Sequence, residues 1–219
     1  MVKGSGNFVS EERTTQSFST IEISAPVTAN IHVRADAQPS VKLLGYESLL
    51  SEIDVNVEGN ALKISSKKAI DFDTDKDVVA EIMVSSFSDL SIMGASDANV
   101  DGSLRERDFS LKISGAGDVS LEELTVNNLT STISGAGDVE IKSGSANTAH
   151  FKISGARKVD AYGLQANVVS AKVSGAGDMN VTALKTLEAK VSGAGTIRYK
   201  GQPTLKSETS GIGEIAAAD

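Results

Sequence analysis

The sequence predicts an all-β fold, a right-handed parallel β-solenoid with about 20 residues per coil and a β-rich N-terminal segment that caps it. Three observations predict this. A motif typified by ISGAGDVSL recurs at nearly constant spacing, apolar and polar residues alternate on both sides of each copy, and no helical period separates the copies. Near-constant spacing of this kind is typical of stacked supersecondary units, in which each unit contacts only its neighbours.

The spacing of the motif defines the coil. Measured at the residue two positions before the first motif glycine, the steps are 21, 20, 20, 20, 18 and 18 residues. The aligned positions are Ile92, Ile113, Ile133, Ile153, Val173, Val191 and Thr209. The two shorter steps lose their residues in the segment that returns from one copy to the next, where loops tolerate length changes, so both strand registers are kept.

Each coil is predicted to contain two strands joined by a tight corner and followed by a looser return. Before the corner, Phe109, Leu111 and Ile113 alternate with Ser110 and Lys112, a period of two that is typical of a strand with one buried face. The equivalent inward positions are Leu129-Ser131-Ile133, Ala149-Phe151-Ile153, Val169-Ala171-Val173 and Leu187-Ala189-Val191. The alternation resumes after the corner. An antiparallel meander is the alternative, but near-identical corners favour the solenoid because alternate corners of a meander lie at opposite ends.

The N-terminal part lacks the motif but is strand-like. Residues 53–64 predict a hairpin around Gly59-Asn60, residues 67–77 a charged loop, and residues 79–84 a further strand. We therefore expect a flexible lead-in at residues 1–14, a β-rich capping segment at 15–90 and the repeat solenoid at 91–219. The last two are expected to form one continuous unit.

The first motif glycine is present in every copy. A sharp corner requires glycine where φ is positive or where neighbouring coils approach closely. These structural corner glycines are Gly94, Gly115, Gly135, Gly155, Gly175, Gly193 and Gly211. The second glycine is replaced by Arg157 in the fourth copy, so that position either does not need the backbone freedom of glycine or is strained there.

A surface ladder of charged residues is predicted at the end of the motif. Its members are Asp97, Asp118, Asp138, Lys158 and Asp178, followed by Thr196 and Glu214. Stacked carboxylates repel, and Lys158 between Asp138 and Asp178 would offset that repulsion. We interpret the ladder as a structural corner with a charge-balancing lysine; a cation held by Asp118 and Asp138 is the alternative. An asparagine ladder is also expected at Asn127, Asn147 and Asn167.

The composition excludes several functions. Cysteine is absent, so there is no disulfide or thiolate site, and a net charge of −8 without a basic run argues against nucleic acid. No 18-residue apolar run predicts a transmembrane helix. His32 and His150 lie in no metal or nucleophile motif. We expect no catalytic residue, no cofactor and no metal.

The series of SGAGD-type corners and the V-x-V-x-G-x-x-L-x-I hairpin at residues 55–64 resemble the bacterial family called putative auto-transporter adhesin, head GIN domain, over residues 15–215. The resemblance implies a β-solenoid-like fold, an adhesive role and an extracytoplasmic place in the cell envelope, at the outer-membrane surface or in the periplasm. The sequence shows no signal peptide, which we expect to be absent from this chain. The family supplies no catalytic residues to carry over.

The favoured hypothesis is a non-enzymatic, exported, adhesin-like binding module that presents its surface to a glycan or protein partner. A periplasmic or envelope scaffold or sensor is the alternative. A carbohydrate-active β-helix enzyme is less favoured because the outward positions mix Ser, Thr, Lys and Glu without a cluster of acidic or basic residues. An exposed strand edge could pair with another copy, but the sequence specifies no oligomeric state.

Overall fold

A computed structural model describes residues 2–13, 15–67 and 72–218. The described chain is 69% strand and forms a β-solenoid of about six turns with about 20 residues per coil, which confirms the predicted fold class. The single helix of these ranges is α1 (Glu47–Leu50). Part of the predicted charged loop at residues 67–77 lies outside the described residues.

The strands of the N-terminal part have at most seven residues, and the longest strands lie in the repeats. The N-terminal strands are β1 (Val2–Lys3), β2 (Phe8–Arg13), β3 (Thr20–Ile23), β4 (Thr28–Val33), β5 (Ser40–Tyr46), β6 (Ile53–Glu58), β7 (Ala61–Ser66), β8 (Phe72–Asp73), β9 (Val79–Val84) and β10 (Asp89–Ile92). The remaining strands are β11 (Asp97–Ile113), β12 (Val119–Ile133), β13 (Val139–Ile141), β14 (Gly144–Gly155), β15 (Lys158–Gly175), β16 (Asp178–Gly193), β17 (Thr196–Lys200), β18 (Thr204–Gly211) and β19 (Glu214–Ala217).

Equivalent residues of successive coils lie side by side. Ile92 pairs with Ile113, Ile113 with Ile133, and Ile133 with Ile153, and every pairing between repeat coils is parallel. We call the stacked runs before each corner the lead face (residues 20–23, 89–92, 109–113, 129–133, 149–153, 169–173, 187–191 and 205–209). The runs after each corner form the groove face (residues 28–33, 97–101, 119–121, 139–141, 158–161, 178–182, 196–200 and 214–217). Parallel pairing throughout these faces rules out the meander.

The return segment is more regular than the sequence suggests. Residues 103–106, 123–126, 144–146 and 164–166 also pair in parallel and form a third strand run in those coils. Leu104, Leu124 and Leu164 of these runs are buried. The return is a strand because these leucines close the remaining side of the core, and burying them stabilises the coil.

The predicted alternation places the core correctly. All lead-face positions assigned inward between Phe109 and Val191 are buried, including Ser131, which is only 1% exposed. Near the N-terminal end, the rings of Phe87 and Phe109 meet edge to face with centroids 5.7 Å apart. The core is therefore continuous along the stack.

The N-terminal segment adds coils whose order in space differs from their order in the chain. Strand β3 lies between β7 and β10, and β4 lies between β9 and β11, all in parallel. The predicted hairpin is confirmed, since β6 and β7 pair antiparallel around Gly59, whose φ is +64°. Leu49 and Leu50 of α1 are fully buried against this end.

The expected flexible lead-in at residues 1–14 is wrong for most of its length. Strand β2 pairs antiparallel with β5, and β1 pairs with β8. The ring of Phe8 meets Tyr46 edge to face at 5.6 Å, and the guanidinium of Arg13 donates to the carbonyl of Leu50 at 3.2 Å. These partners lie at least 28 residues away in the chain, so the local composition does not reveal them.

Candidate functional site

The first three aspartates of the predicted ladder are structural acceptors. The N–H groups of Asp118, Asp138 and Lys158 each donate to the Oδ1 atom of the aspartate one coil earlier, at 2.9 Å in each case. Each carboxylate of Asp97, Asp118 and Asp138 thus satisfies a backbone donor that would otherwise lack a partner at the corner. A hydrogen bond to a charged acceptor also offsets the repulsion between stacked carboxylates.

From Asp178 onward the same backbone donor finds a different acceptor. The N–H of Asp178 donates to the carbonyl of Arg157 at 2.9 Å, and the N–H of Thr196 donates to the carbonyl of Gly177 at 3.2 Å. The N–H of Glu214 donates likewise to Gly195 at 3.1 Å. The carboxylate is no longer needed, which explains why the ladder position becomes Asp, Thr and Glu after Lys158.

The corner glycines are required for two different reasons. A Cβ atom on Gly115 or Gly135 would lie 1.9 Å from the carbonyl oxygen of the preceding corner glycine, so close approach of backbones demands glycine there. Gly175 and Gly193 have φ of +131°, and Gly211 has +109°, in the region that L-residues rarely adopt, and a Cβ on any of them would also clash with the carbonyl oxygen of the preceding corner glycine. Neither Gly94 nor Gly155 has positive φ, and a Cβ would lie 3.2 Å from the carbonyl oxygen of Ser24 at Gly94 but only 2.8 Å from that of Gly135 at Gly155, so Gly94 is the less constrained of the two.

Arg157 and Lys158 mark the change between the two corner geometries. Arg157 does not have positive φ, so the backbone is not strained at this residue. The second motif position therefore does not need glycine in this corner. The ammonium of Lys158 lies 2.8 Å from Oδ2 of Asp160 in its own coil, and Asp138 also acts on it electrostatically. The hydrogen bond to Asp160 raises the pKa of Lys158.

A groove of about 460 Å³ runs along the groove face beside this ladder. It crosses five layers of the stack, from β4 to the first residues of β15. Its polar lining consists of Thr28, Asp97, Asn99, Asp118, Ser120, Asp138, Glu140, Lys158 and Asp160. Two smaller depressions share lining residues with it. One, of about 330 Å³, shares Thr28 and Asp97, and the other, of about 370 Å³, shares Asn99 and Ser120.

The groove is acidic and rich in hydrogen-bond acceptors. Five carboxyl groups and one ammonium line it. Burial would raise the pKa of Asp160, but hydrogen bonds from Lys158 and Asn180 outweigh it and lower that pKa. Within the described ranges no group of three or more His, Asp or Glu is arranged to hold a metal ion. The Oδ1 atoms of Asp118 and Asp138, the alternative cation pair, already accept backbone N–H groups.

The predicted asparagine ladder is present only in part. The amide of Asn167 donates to the side-chain oxygen of Asn147 at 3.3 Å, as expected. The hydroxyl of Ser134 reaches the carbonyl of Ile113 at 3.4 Å, a weak contact. These contacts add local order at the corners without forming a recess for a ligand.

Sequence reasoning missed a cluster around His32 at the junction of the N-terminal coils and the repeats. Its Nε2 lies 2.6 Å from Glu81 of β9, and its Nδ1 lies 2.6 Å from Asp101 of β11. Arg34 forms an ion pair with Asp101, and the amide of Asn30 donates to Glu81 at 2.9 Å. The partners are 49 and 69 residues from His32, so only knowledge of the strand order could have revealed them.

The cluster shifts the pKa values of its members in opposite directions. The hydrogen bond with Glu81 raises the pKa of His32, opposed by burial and supported by Asp101. Burial would raise the pKa of Asp101, but its contacts with Arg34 and His32 outweigh that effect and lower it. Both shifts favour the charged pair, in which protonated His32 would connect β4 to both neighbouring strands.

The corner series, the stacked parallel coils and the covered N-terminal end together define a capped β-solenoid protein. The sequence profile of the family described as "Putative auto-transporter adhesin, head GIN domain" matches residues 17–203, and the chain belongs to this family. No protein of curated function shows significant similarity to the sequence. The described residues include no helix with the length and apolar character needed to cross a membrane.

Solved structures share the whole fold. A putative adhesin from Bacteroides fragilis NCTC 9343 is 25% identical, with a TM-score of 0.94 and full coverage of both chains. A putative adhesin from Parabacteroides merdae ATCC 43184 is 19% identical (TM-score 0.78), with 100% of this chain and 99% of the other covered. A protein from Parabacteroides distasonis ATCC 8503 described as a putative lipid binding protein is 20% identical (TM-score 0.77), with the same coverage. The last two likenesses concern the fold alone.

Proposed function

We propose that the protein is a non-enzymatic, exported cell-envelope module that binds a glycan or protein partner in the groove beside the aspartate ladder. The observation that carries this proposal is the groove itself, which crosses five layers and is lined by polar side chains from every layer. Family membership supports an adhesin-like role. The scaffold or sensor role remains the alternative.

The groove is suited to a long ligand that carries regularly placed hydrogen-bond donors. Its acceptors recur at the spacing of the strands, about 4.8 Å. The carboxylates of Asp97, Asp118 and Asp138 are held in place by backbone N–H groups. Because these acceptors are already ordered, a ligand loses less free energy on binding than it would at a mobile surface. Hydroxyl groups of a glycan or cationic groups of an extended protein segment fit this description.

The electrostatics of the groove support binding over hydrolysis. A glycosidase of the usual kind needs a carboxylic acid with a raised pKa to protonate the leaving group. The pKa of Asp160 is lowered instead, because hydrogen bonds from Lys158 and Asn180 outweigh the effect of burial. We therefore favour a groove that binds its ligand and releases it without hydrolysis.

The groove can be tested with a matched pair of variants. Ser120→Arg places a long side chain in the groove, whereas Ser170→Arg places the same side chain on the lead face, away from it. Both are compared with the wild type on arrays of glycans and extracellular matrix proteins. We expect Ser120→Arg to abolish binding and Ser170→Arg to retain it. Equal binding by all three proteins would exclude the groove as the site.

Two further measurements separate the remaining possibilities. Binding to a basic protein segment should weaken as salt is raised, while binding to a neutral glycan should change little. Protease shaving of intact cells, combined with fractionation, tests the location. Surface exposure supports adhesion, and protection within the periplasm would favour the scaffold or sensor role.

A further inference from the structure

The two ends of the solenoid are finished differently. At the N-terminal end, α1 and the antiparallel strands β2, β5 and β6 cover the stack. At the C-terminal end, β18 pairs with β16 on one side and has no partner among the described residues on the other. All eight residues of β18 are exposed, and Ile212 beyond it is 89% exposed. A terminal repeat in this condition exposes a strand edge that can pair with another chain.

The register identifies which backbone groups are free at this edge. The pairing of β18 with β16 runs from Thr204 to Gly211 without a shift, and the N–H of Ile212 donates to Gly193 at 3.0 Å. Backbone groups of alternate residues point to opposite sides of a strand. The even-numbered residues from Thr204 therefore face β16. The N–H and C=O groups of Leu205, Ser207 and Thr209 point to the free edge.

We infer that β18 pairs with β18 of a second copy of this chain, antiparallel and with the two-fold axis at Ser207. In this arrangement Ser207 faces Ser207 of the partner subunit, and Leu205 faces the partner subunit's Thr209. Each facing pair exchanges two backbone hydrogen bonds, about six in all. The contact is isologous, so it closes a dimer in which neither β18 edge is left free.

The charges of β18 select this register. Lys206 and Glu208 lie on the outer side of the sheet on either side of Ser207. A two-fold axis at Ser207 places Lys206 opposite the partner's Glu208, twice over. An axis at Lys206 or at Glu208 would place like charges opposite each other, and so would an in-register parallel pair. Opposite charges across a strand pair stabilise it and like charges destabilise it.

The decisive experiment mixes two charge variants of the full chain. Lys206→Glu carries two acidic residues at these positions, and Glu208→Lys carries two basic residues. We expect the wild type to form dimers in sedimentation equilibrium and each variant alone to dimerise about tenfold or more weakly. An equimolar mixture should form the heterodimer, because acidic residues then face basic residues at both positions. Since each variant must fold for the mixture to dimerise, recovery on mixing also excludes misfolding as the cause.

A second pair of variants tests the backbone contact. Ser207→Pro removes an N–H that points to the free edge and leaves the bonds to β16 in place, while Ser207→Ala keeps that N–H. We expect dimers for Ser207→Ala and monomers for Ser207→Pro, with similar melting temperatures measured at a concentration where neither dimerises. A wild type that stays monomeric at every soluble concentration would overturn the inference. Dimers whose affinity is unchanged by all four substitutions at positions 206, 207 and 208 would also overturn it. Growth into long filaments would do the same.

Discussion

The corners at Gly115 and Gly135 have almost the same sequence as those at Gly175 and Gly193, but their backbone geometry and hydrogen bonds differ. In the first region, glycine is needed because backbones nearly touch, and an aspartate side chain accepts the next amide. In the second region, backbones also approach closely, but glycine is needed in addition for positive φ, and a backbone carbonyl accepts that amide. The same sequence motif therefore forms two corner geometries. The two geometries differ in which residue types each motif position tolerates.

The largest expected difference concerns the close approach of backbones in the first region. Gly135→Ala places a Cβ 1.9 Å from the carbonyl oxygen of Gly115. We expect the free energy of unfolding to fall by on the order of 3 kcal/mol, because backbone must move. In Gly94→Ala the Cβ lies 3.2 Å from the carbonyl oxygen of Ser24, and the loss should stay below about 1 kcal/mol. Urea denaturation measures both, and equal losses would contradict the account of the first region.

The carboxylate acceptor gives the next largest difference between the regions. Asp118→Ala leaves the N–H of Asp138 without its acceptor and should lower the free energy of unfolding by about 1 kcal/mol. Asp178→Ala should change it by less than about 0.5 kcal/mol, since the next amide donates to a backbone carbonyl. Asp118→Asn retains an oxygen acceptor and should lie between them. A costly Asp178→Ala would show that the ladder acts alike in both regions.

The inward lead-face position also differs between the regions. Ser131 is buried with its hydroxyl unpaired, whereas Ala171 occupies the same position two coils later. Ser131→Ala should raise the free energy of unfolding by about 1 kcal/mol, because it removes an unsatisfied buried group. Ala171→Ser is the reciprocal change and should lower it by a similar amount. Chemical denaturation of both variants checks this, and a destabilised Ser131→Ala would reveal a partner for the hydroxyl.

The boundary between the regions should respond to salt. Lys158→Asp replaces the ion pair with Asp160 by a repulsion and adds a carboxylate next to Asp138. The loss of stability should be under about 1 kcal/mol and smaller at high salt, where exposed charges are screened. Lys158→Gln should lose less at low salt. Melting temperatures over a salt series measure this, and a loss that does not depend on salt would refute an electrostatic role.

The smallest expected effect is a pH dependence at the start of the first region. Because the pKa of His32 is raised in the folded protein, its contribution to stability is full below about pH 6.5, the unfolded value, and is lost as pH rises through the folded pKa. The wild type should therefore lose melting temperature above that pH more steeply than His32→Gln. His150→Gln, on the exposed outer side of the lead face, is the control and should follow the wild type. Parallel profiles for all three proteins would contradict the role of the cluster.

The sequence predicts the repeating fold well and the site only in part. Alternation assigned the buried lead-face residues correctly, even Ser131, because period two is a local property of a strand. Strand β2 and the His32 cluster were missed because their partners come from distant parts of the chain. The two corner geometries were missed because both use Ser-Gly-Ala-Gly. The sequence did carry one signal of the second geometry, which is the variation of the ladder position after Lys158. A position that can be Asp, Thr or Glu is not required to supply a hydrogen-bond acceptor.

The interleaved order of the N-terminal coils bears on how the chain folds. Repeat coils pair residues only 17 to 21 positions apart, so each can be added to its neighbour by a short loop closure. Strand β4 must instead wait for β9 and β11, and His32 meets Asp101 from 69 residues away. Contacts of such long range form slowly. Pairing of β4 with β9 and β11, where the capped end meets the repeats, is thus the step that we expect to limit the folding rate. The number of coils that follow should not change this.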